Sequence, residues 1–185
     1  MTPQRDDYDS PWKEALVRYF EAFLTFFSPD MAAEVDWSQG YELLENEFRQ
    51  VVREAVVGRR TVDALVRVFL LGGEESWILV HVEVQSQEDA GFPERMFVYH
   101  YRVFDRFRRP VVSLAILGDS DPDWRPDRYE VSRYRCRMVL EYPMVKLLDY
   151  EPRLPELESS SNPFAVLVAA HLHAQGTTRG SRIRL

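Results

Sequence analysis

Two acids and a glutamine interrupt strongly apolar segments near the middle of the chain. Asp63 stands in the segment TVDALVRVFL, and Glu83 and Gln85 stand in SWILVHVEVQ. A carboxylate within such a segment is costly to bury unless it is paired or binds a cation. Mg²⁺ takes one or two carboxylates together with water and phosphate oxygens. The residue types therefore predict a divalent-metal site. A solvated acidic rim at the end of a hairpin is the alternative that the residues alone leave open.

The two segments, residues 61–70 and 76–85, predict neighbouring β-strands separated by Gly72-Gly73. At a period of two, one face of each strand is apolar and is expected to face a core. These apolar positions are Val62, Ala64, Val66, Val68 and Leu70 in the first strand and Ile78, Val80, Val82 and Val84 in the second. The opposite faces carry Asp63, Glu83 and Gln85, which a hairpin would place on one side of the sheet.

A hairpin centred on Gly73 predicts a specific register. It places Asp63 directly opposite Glu83, with their Cβ atoms about 5 Å apart. Two carboxylates at that distance repel each other unless something positive lies between them. This register therefore favours a bound cation.

The remaining segments predict helices on either side of a small sheet. Pattern and turn residues predict a helix over 11–27 after Ser10, and a helical turn or two over Tyr41 to Phe48. A further helix is predicted within 88–108, starting near Pro93, followed by a strand over 110–117 and a loop at SDPDWRPD. An edge strand over 134–140 and a short helix over 163–175, after Asn162, complete the predicted elements. The fold class predicted is α/β (mixed α+β), a small mixed sheet with a central hairpin flanked by helices. We expect a flexible N-terminus over 1–10, one domain over 11–175 and an irregular basic tail over 176–185.

Composition points to a cytoplasmic globular protein with no membrane partner. The 185 residues fit one domain, and no apolar run approaches the ~20 residues of a membrane span. The N-terminal segment MTPQRDDYDS is too polar and acidic for a secretory signal. The single cysteine, Cys136, suits a reducing cytosol. The net charge of −7 is distributed as a mosaic, which suits an acidic pocket beside basic strips and equally suits an ordinary solvated surface.

The order of Asp63 and then Glu83-Val84-Gln85-Ser86 resembles the PD-(D/E)XK nuclease superfamily. Within it, the chain is most similar to the transposase-associated, recombination-promoting nuclease (Rpn-like) family, in which glutamine replaces the last lysine of the motif. The resemblance runs from about Tyr8 to Gln175 through the stretches DWSQGYELLENEFRQVV, GRRTVDALVRV, WILVHVEVQSQ, FPERMFVYHYRVFDRF, PVVSLAILGD and NPFAVLVAAHL. The tripeptide E-x-Q has no specificity by itself, so the ordered set carries the resemblance.

This resemblance implies a restriction-endonuclease-like fold and a DNA endonuclease, associated with transposition and recombination, that requires Mg²⁺ (or Mn²⁺). By position, Asp63 and Glu83 would be metal ligands, the Val84 carbonyl a third ligand, and Gln85 the residue that orients the attacking water. Such folds can add a glutamate from an upstream helix. The candidates for this extra acid are Glu42, Glu45 and Glu47.

The segment after Pro93 carries a basic stripe. Arg95, Tyr99, Arg102 and Arg106 follow one another at helical spacing. We predict that the three arginines are exposed and that the stripe binds DNA phosphates beside the metal site. An ordinary solvated helix face is the alternative. His171 and His173 lie two residues apart on a predicted helix, so they are not expected to bind one metal.

The chain departs from the resemblance at its end. It stops at TTRGSRIRL, whereas the resembling proteins continue into a longer helical tail, and we therefore expect a truncated copy. Because such a tail can mediate dimerisation, a homodimer is a further alternative for this chain. The alternative to the enzyme is a catalytically inactive protein that keeps the nuclease fold as a binding or interaction module.

Overall fold

The computed structural model describes residues 9–54, 62–83 and 89–182 of the chain. In this part the helices are α1 (Asp9–Arg18), α2 (Phe20–Phe27), α3 (Pro29–Glu34), α4 (Glu45–Glu54), α5 (Phe92–Phe107), α6 (Leu154–Glu158) and α7 (Pro163–Arg182). The strands are β1 (Tyr41–Leu43), β2 (Val62–Phe69), β3 (Glu75–Glu83), β4 (Val111–Leu117), β5 (Arg128–Arg133), β6 (Cys136–Glu141) and β7 (Met144–Lys146). Short 3₁₀ helices lie at Trp37–Gln39 and Leu147–Arg153.

Five strands form one mixed sheet in the order β1-β2-β3-β4-β7. The pairs β1–β2 and β2–β3 are antiparallel, whereas β3–β4 and β4–β7 are parallel. Helix α5 lies between β3 and β4 in the chain, as a parallel connection requires. The predicted fold class, a mixed α/β protein with a central hairpin in a small mixed sheet, is confirmed.

Helices cover both faces of this sheet. The even-numbered face of β2 and β3, with Val66, Val68 and Ile78, packs in one core with residues of α1, α2 and α7 such as Phe23 and Phe164. This confirms the prediction for Ala64, Val66, Val68, Leu70 and Ile78. The side chains of the other predicted positions (Val62, Val80, Val82 and Val84) are not among those the structure describes. The odd-numbered face packs beneath α5, where Leu65 and Trp77 are buried against Tyr99 and Val103.

The longest apolar segments follow their predictions. Strands β2, β3 and β4 and helix α5 lie where the sequence places them, and Pro93 stands in the first turn of α5. Asn162 begins α7 by accepting the Phe164 N–H at its Oδ1, 2.9 Å away. These elements position the candidate site.

The N-terminal helix prediction and the segment after it need correction. The helix predicted over 11–27 is divided at Tyr19, whose backbone (φ −131°, ψ 41°) is not helical. The residues from Tyr41 do not begin a helix: they form β1, and α4 follows. Gly40 has a φ of 71°, a conformation that favours glycine, and from there the chain runs along the edge of β2.

Of two further predictions about the C-terminal half, one is confirmed and one is corrected. The edge strand predicted over 134–140 corresponds to β6, which pairs with β5 in a separate two-stranded sheet, where each strand is an edge. The predicted irregular tail is helical from residue 176 to Arg182, within α7. Residues 1–8 and 183–185 lie outside the described residues.

No helix in the described ranges is long and apolar enough to cross a membrane.

Candidate functional site

The turn between β2 and β3 sets the register of the central hairpin. The Leu70 N–H donates to the Glu74 carbonyl, and the Gly73 N–H donates to the Leu70 carbonyl, each over 2.8 Å. Gly73 has a φ of 84°, in the region that favours glycine. The hairpin is therefore centred on Gly72, one residue earlier than predicted.

Asp63 is the strand partner of His81, so the predicted pairing of Asp63 with Glu83 is wrong. Position 83 lies two residues beyond His81 on β3, and strand alternation keeps it on the same face as position 63. Diagonal neighbours of this kind have Cα atoms about 7–8 Å apart. Positions 63 and 83 are therefore diagonal neighbours on the two strands. Val84 and Gln85 lie outside the described residues.

Glu83 belongs to a row of paired residues that crosses the two parallel strand pairs of the sheet. Glu83 pairs with Leu117 of β4, and Leu117 pairs with Lys146 of β7. Paired residues on adjacent strands share a face, so Lys146 belongs to the face that carries the two acids. Two steps between strands place position 146 roughly 10 Å from position 83.

Lys146 forms a buried ion pair with Asp119, two residues beyond the end of β4. The Lys146 Nζ donates to Asp119 Oδ1 over 2.5 Å and to the Trp124 carbonyl over 3.1 Å. The exposed fractions of the two side chains are 0% and 1%. The Nζ also lies 5.4 Å from the centroid of the Trp124 ring, a cation–π distance. Asp119 Oδ2 is buried without a hydrogen-bond partner among the described residues.

Arg95 and Tyr99, the first two residues of the predicted phosphate-binding stripe, are buried. The Arg95 Nη1 donates to Asp89 Oδ2 over 2.5 Å, and its guanidinium lies 5.5 Å from the Phe92 ring centroid. Tyr99 packs in the core beneath α5. The prediction that Arg95 is exposed is wrong, because its side of α5 is the side that covers the sheet.

The other arginines of the stripe lie nearer to solvent. Arg106 is exposed, as predicted, whereas Arg102 is half-buried and does not meet the prediction. Binding of DNA phosphates by the stripe stays a prediction.

The α5 side of the sheet holds the buried positive charges. Among the ion pairs of the described residues, the two with a buried basic side chain are Arg95–Asp89 and Lys146–Asp119. His100 faces the same side, where its Nδ1 lies 2.9 Å from the Oγ of a β4 serine, and burial lowers the pKa of His100. Buried ionisable groups are costly and tend to gather at functional sites. This face, with the two acids, is therefore the candidate site.

The upstream glutamates differ in their distance from the acids. Glu42 faces Arg67 across β1 and β2 and forms an ion pair with it. Arg67 lies four residues along β2 from Asp63, about 13 Å, so Glu42 is too far to share a cation with Asp63. Glu45 is exposed and Glu47 is half-buried in the first turn of α4. For these two, the role of the extra acid stays a prediction.

Positions 63 and 83, on one face of adjacent strands, carry residue types that suit a divalent cation. Aspartate and glutamate carry hard oxygen donors, the type that Mg²⁺ and Mn²⁺ prefer. In the part of the chain that the structure describes, no group of three or more His, Cys, Asp or Glu side chains is placed to hold a metal ion. The third donor implied by the resemblance, the Val84 carbonyl, lies outside that part.

The two histidines of α7 have separate surroundings, as predicted. His171 is buried with its Nε2 2.6 Å from the Gly118 carbonyl, and Gln175 donates to the same carbonyl. His173 is exposed, and its Nε2 lies 2.8 Å from Glu158 Oε1. The two rings therefore do not converge on one metal.

Burial of His171 makes stability depend on pH. Desolvation lowers the pKa of His171 below its ordinary 6.5, against the smaller raising effects of the Gly118 carbonyl and Asp119. A lowered pKa means that the unfolded chain binds the proton more tightly. The stabilising contribution is therefore complete above about pH 6.5 and is lost as the pH falls below it, with a slope of at most about 1.4 kcal/mol per pH unit.

We expect His171→Gln to flatten the fall in the free energy of unfolding between about pH 7 and 5, measured by urea denaturation. The glutamine amide can still donate to a carbonyl but does not titrate. His173→Gln is the matched control and should keep most of the wild-type slope. An unchanged slope in His171→Gln would show that this ring does not control the pH dependence.

Comparison of the chain with models of protein families, with curated proteins and with solved structures gave no significant match. Residue types and their placement in the sheet therefore carry the functional proposal.

Sequence reasoning missed Lys146, Asp119 and His100 as residues on or beside the candidate site. The signal for Lys146 was present, because it is a lysine within the apolar run MVKLL, the same kind of interruption that drew attention to Asp63. No local pattern pairs it with Asp119, which lies 27 positions away.

Proposed function

We propose that the chain is a metal-dependent endonuclease that hydrolyses DNA phosphodiesters in the cytoplasm, in a process associated with transposition or recombination. The observation that carries the proposal is the shared face of positions 63 and 83 on the central hairpin. On this face the positions of the two acids are diagonal neighbours on strands rich in Val, Leu and Ile, beneath a helix that also buries an arginine.

The fold supports the same proposal. A restriction-endonuclease-like core, as implied by the resemblance to the Rpn-like PD-(D/E)XK nucleases, requires a small mixed sheet with its acids on a central hairpin and helices on both faces. The sheet order and the positions of α1, α2, α5 and α7 agree with this requirement.

Each residue of the site has a distinct role in the proposal. Asp63 and Glu83 hold Mg²⁺ or Mn²⁺ together with the Val84 carbonyl, and Gln85 orients water by hydrogen bonding. When bound, the cation supplies Lewis-acid activation of water and offsets charge on the phosphate. Gln85 has no positive charge to contribute. Lys146 cannot replace a catalytic lysine by touching substrate, because its ammonium group is buried against Asp119.

Nicking of supercoiled plasmid by the purified protein tests the proposal. We expect conversion to the open circular form with Mg²⁺ or Mn²⁺ and none with EDTA, because the proposal assigns the activation of water to the cation. Binding of DNA without cleavage at any metal concentration would favour the alternative, a nuclease-fold binding module. Neither binding nor cleavage would reject DNA as the substrate.

The variant Gln85→Lys tests whether Gln85 occupies the last position of the nuclease motif. A lysine there can stabilise negative charge in the transition state, so we expect equal or higher nicking rates, by up to about tenfold. Gln87→Lys adds the same charge outside the motif and serves as the control. Loss of activity in Gln85→Lys alone would place the motif elsewhere.

A further inference from the structure

The β5–β6 hairpin projects from the domain as a separate arm. Its base is closed where the Tyr142 N–H donates to the Asp127 carbonyl over 3.0 Å. Tyr142 packs beside Leu117, the strand partner of Glu83. On its side facing α5, the Tyr129 ring stacks on Phe97 with 5.0 Å between centroids. The arm therefore begins at the edge of the candidate site.

Ion pairs inside the arm engage the two arginines of its middle. Arg137 Nε donates to Glu130 Oε1 over 2.9 Å, and Arg128 donates to Glu130 Oε2 over 2.7 Å. These contacts lower the pKa of Glu130, chiefly through the hydrogen bond from Arg137. The two arginines are thus occupied within the hairpin.

The tip differs from the middle in charge and in backbone conformation. Arg133 and Arg135 are exposed, and neither guanidinium forms an ion pair with a described carboxylate. Between them, Tyr134 is fully exposed and has a φ of 55°. A hairpin turn with positive φ at this position normally takes glycine. Tyr134 is bulky and adopts this unfavourable conformation although its exposed side chain does not stabilise the fold. Backbone strain at such a residue indicates a role in binding rather than in folding.

We propose that the arm holds double-stranded DNA beside the candidate site, with Arg133 and Arg135 on backbone phosphates and Tyr134 between them. DNA as the partner rests on the proposed function. Two cations without internal partners match a polyanion, and a two-stranded ribbon fits the major groove. Six residues of β5 extend about 20 Å, so the tip would contact the duplex at about that distance from the edge of the site. Its exposed Val131 and Met138 would also suit a second copy of the chain, which the test distinguishes.

Fluorescence anisotropy with a labelled duplex tests the arm, with Ca²⁺ in place of Mg²⁺ to prevent cleavage. For Arg133→Ala/Arg135→Ala we expect Kd to rise about tenfold at 0.1 M salt and the slope of log Kd against log salt to fall by about 2. The control Arg18→Ala/Arg153→Ala removes the same charge from the opposite side of the sheet. Equal effects of the two double variants would overturn the proposal.

The chain's single cysteine gives a second readout. Cys136 is exposed beside the tip, so bound duplex should slow its alkylation by a maleimide. If wild-type protein binds no duplex, the arm and DNA as substrate both fail. If it binds and cleaves DNA while the tip variant binds like the control, the arm alone fails. A change of oligomeric mass in the tip variant without DNA would show that the arm contacts a second copy, and would also overturn the proposal.

Discussion

Substitution of Asp63 by alanine is expected to lower Mg²⁺-dependent plasmid nicking by about a hundredfold or more, because it removes one of the two carboxylates that hold the cation. Glu83→Ala should have a similar effect. In both variants a higher Mg²⁺ concentration should recover part of the activity, since the loss acts through metal affinity. Initial rates of open-circle formation over a range of Mg²⁺ concentrations measure both effects.

Glu74→Ala is the matched control for these variants. It removes an exposed acid from the turn of the same hairpin, at the end away from the site, and should leave the nicking rate unchanged. The register pairs Asp63 with His81, so Asp63→Ala does not relieve repulsion between directly facing carboxylates. Nicking that survives in Asp63→Ala would identify another site or a contaminating nuclease.

The second large effect is expected at the buried pair of Lys146 and Asp119. Lys146→Met leaves the Asp119 carboxylate buried without its positive partner, which costs about 3–5 kcal/mol of unfolding free energy. Urea denaturation at neutral pH measures this loss. The double variant Lys146→Met/Asp119→Leu should recover much of it, because an apolar pair of similar volume leaves no unpaired charge.

An exposed ion pair nearby provides the control. Arg125 donates to Asp149 over 2.6 and 2.8 Å, but both side chains are about half exposed to water. Arg125→Ala should therefore cost at most about 1 kcal/mol. If Lys146→Met cost no more than Arg125→Ala, the buried carboxylate would have to find water or another partner when the lysine is removed.

Elements with a dense apolar pattern were predictable from the sequence. Strands β2, β3 and β4 have runs of Val, Leu and Ile, and α5 has helical spacing after Pro93. In these segments the local preference and the burial required by the core agree. The face shared by Asp63 and Glu83 was predictable for the same reason, since it follows from alternation alone.

The register and the shortest strands were not predictable. The register depends on which residue of the turn adopts a positive φ, and Gly72 and Gly73 were both suitable. Strands β1 and β7 have three residues each, too few for a pattern. Tyr41–Leu43 lies in a sequence that suits a helix, and pairing with the edge of β2 overrides that preference.

The polar surroundings of the site were the least predictable part. The side of a helix that meets the sheet decides whether an arginine is exposed, and Arg95 looks like a surface residue until α5 is docked. The pairing of Lys146 with Asp119 depends on β7 lying next to β4. Such contacts arise from tertiary structure and leave little trace in local sequence.

The two acids of the candidate site lie on one continuous hairpin, and this determines when they meet during folding. A hairpin closes within microseconds and needs only neighbouring residues, whereas the parallel pairing of β3 with β4 must wait for the α5 crossover to close a long loop. The pair Asp63 and Glu83 can therefore be brought together before the sheet is complete. The buried arginine and lysine come to the same face later, with the long-range contacts, so the acids precede the basic groups in assembly.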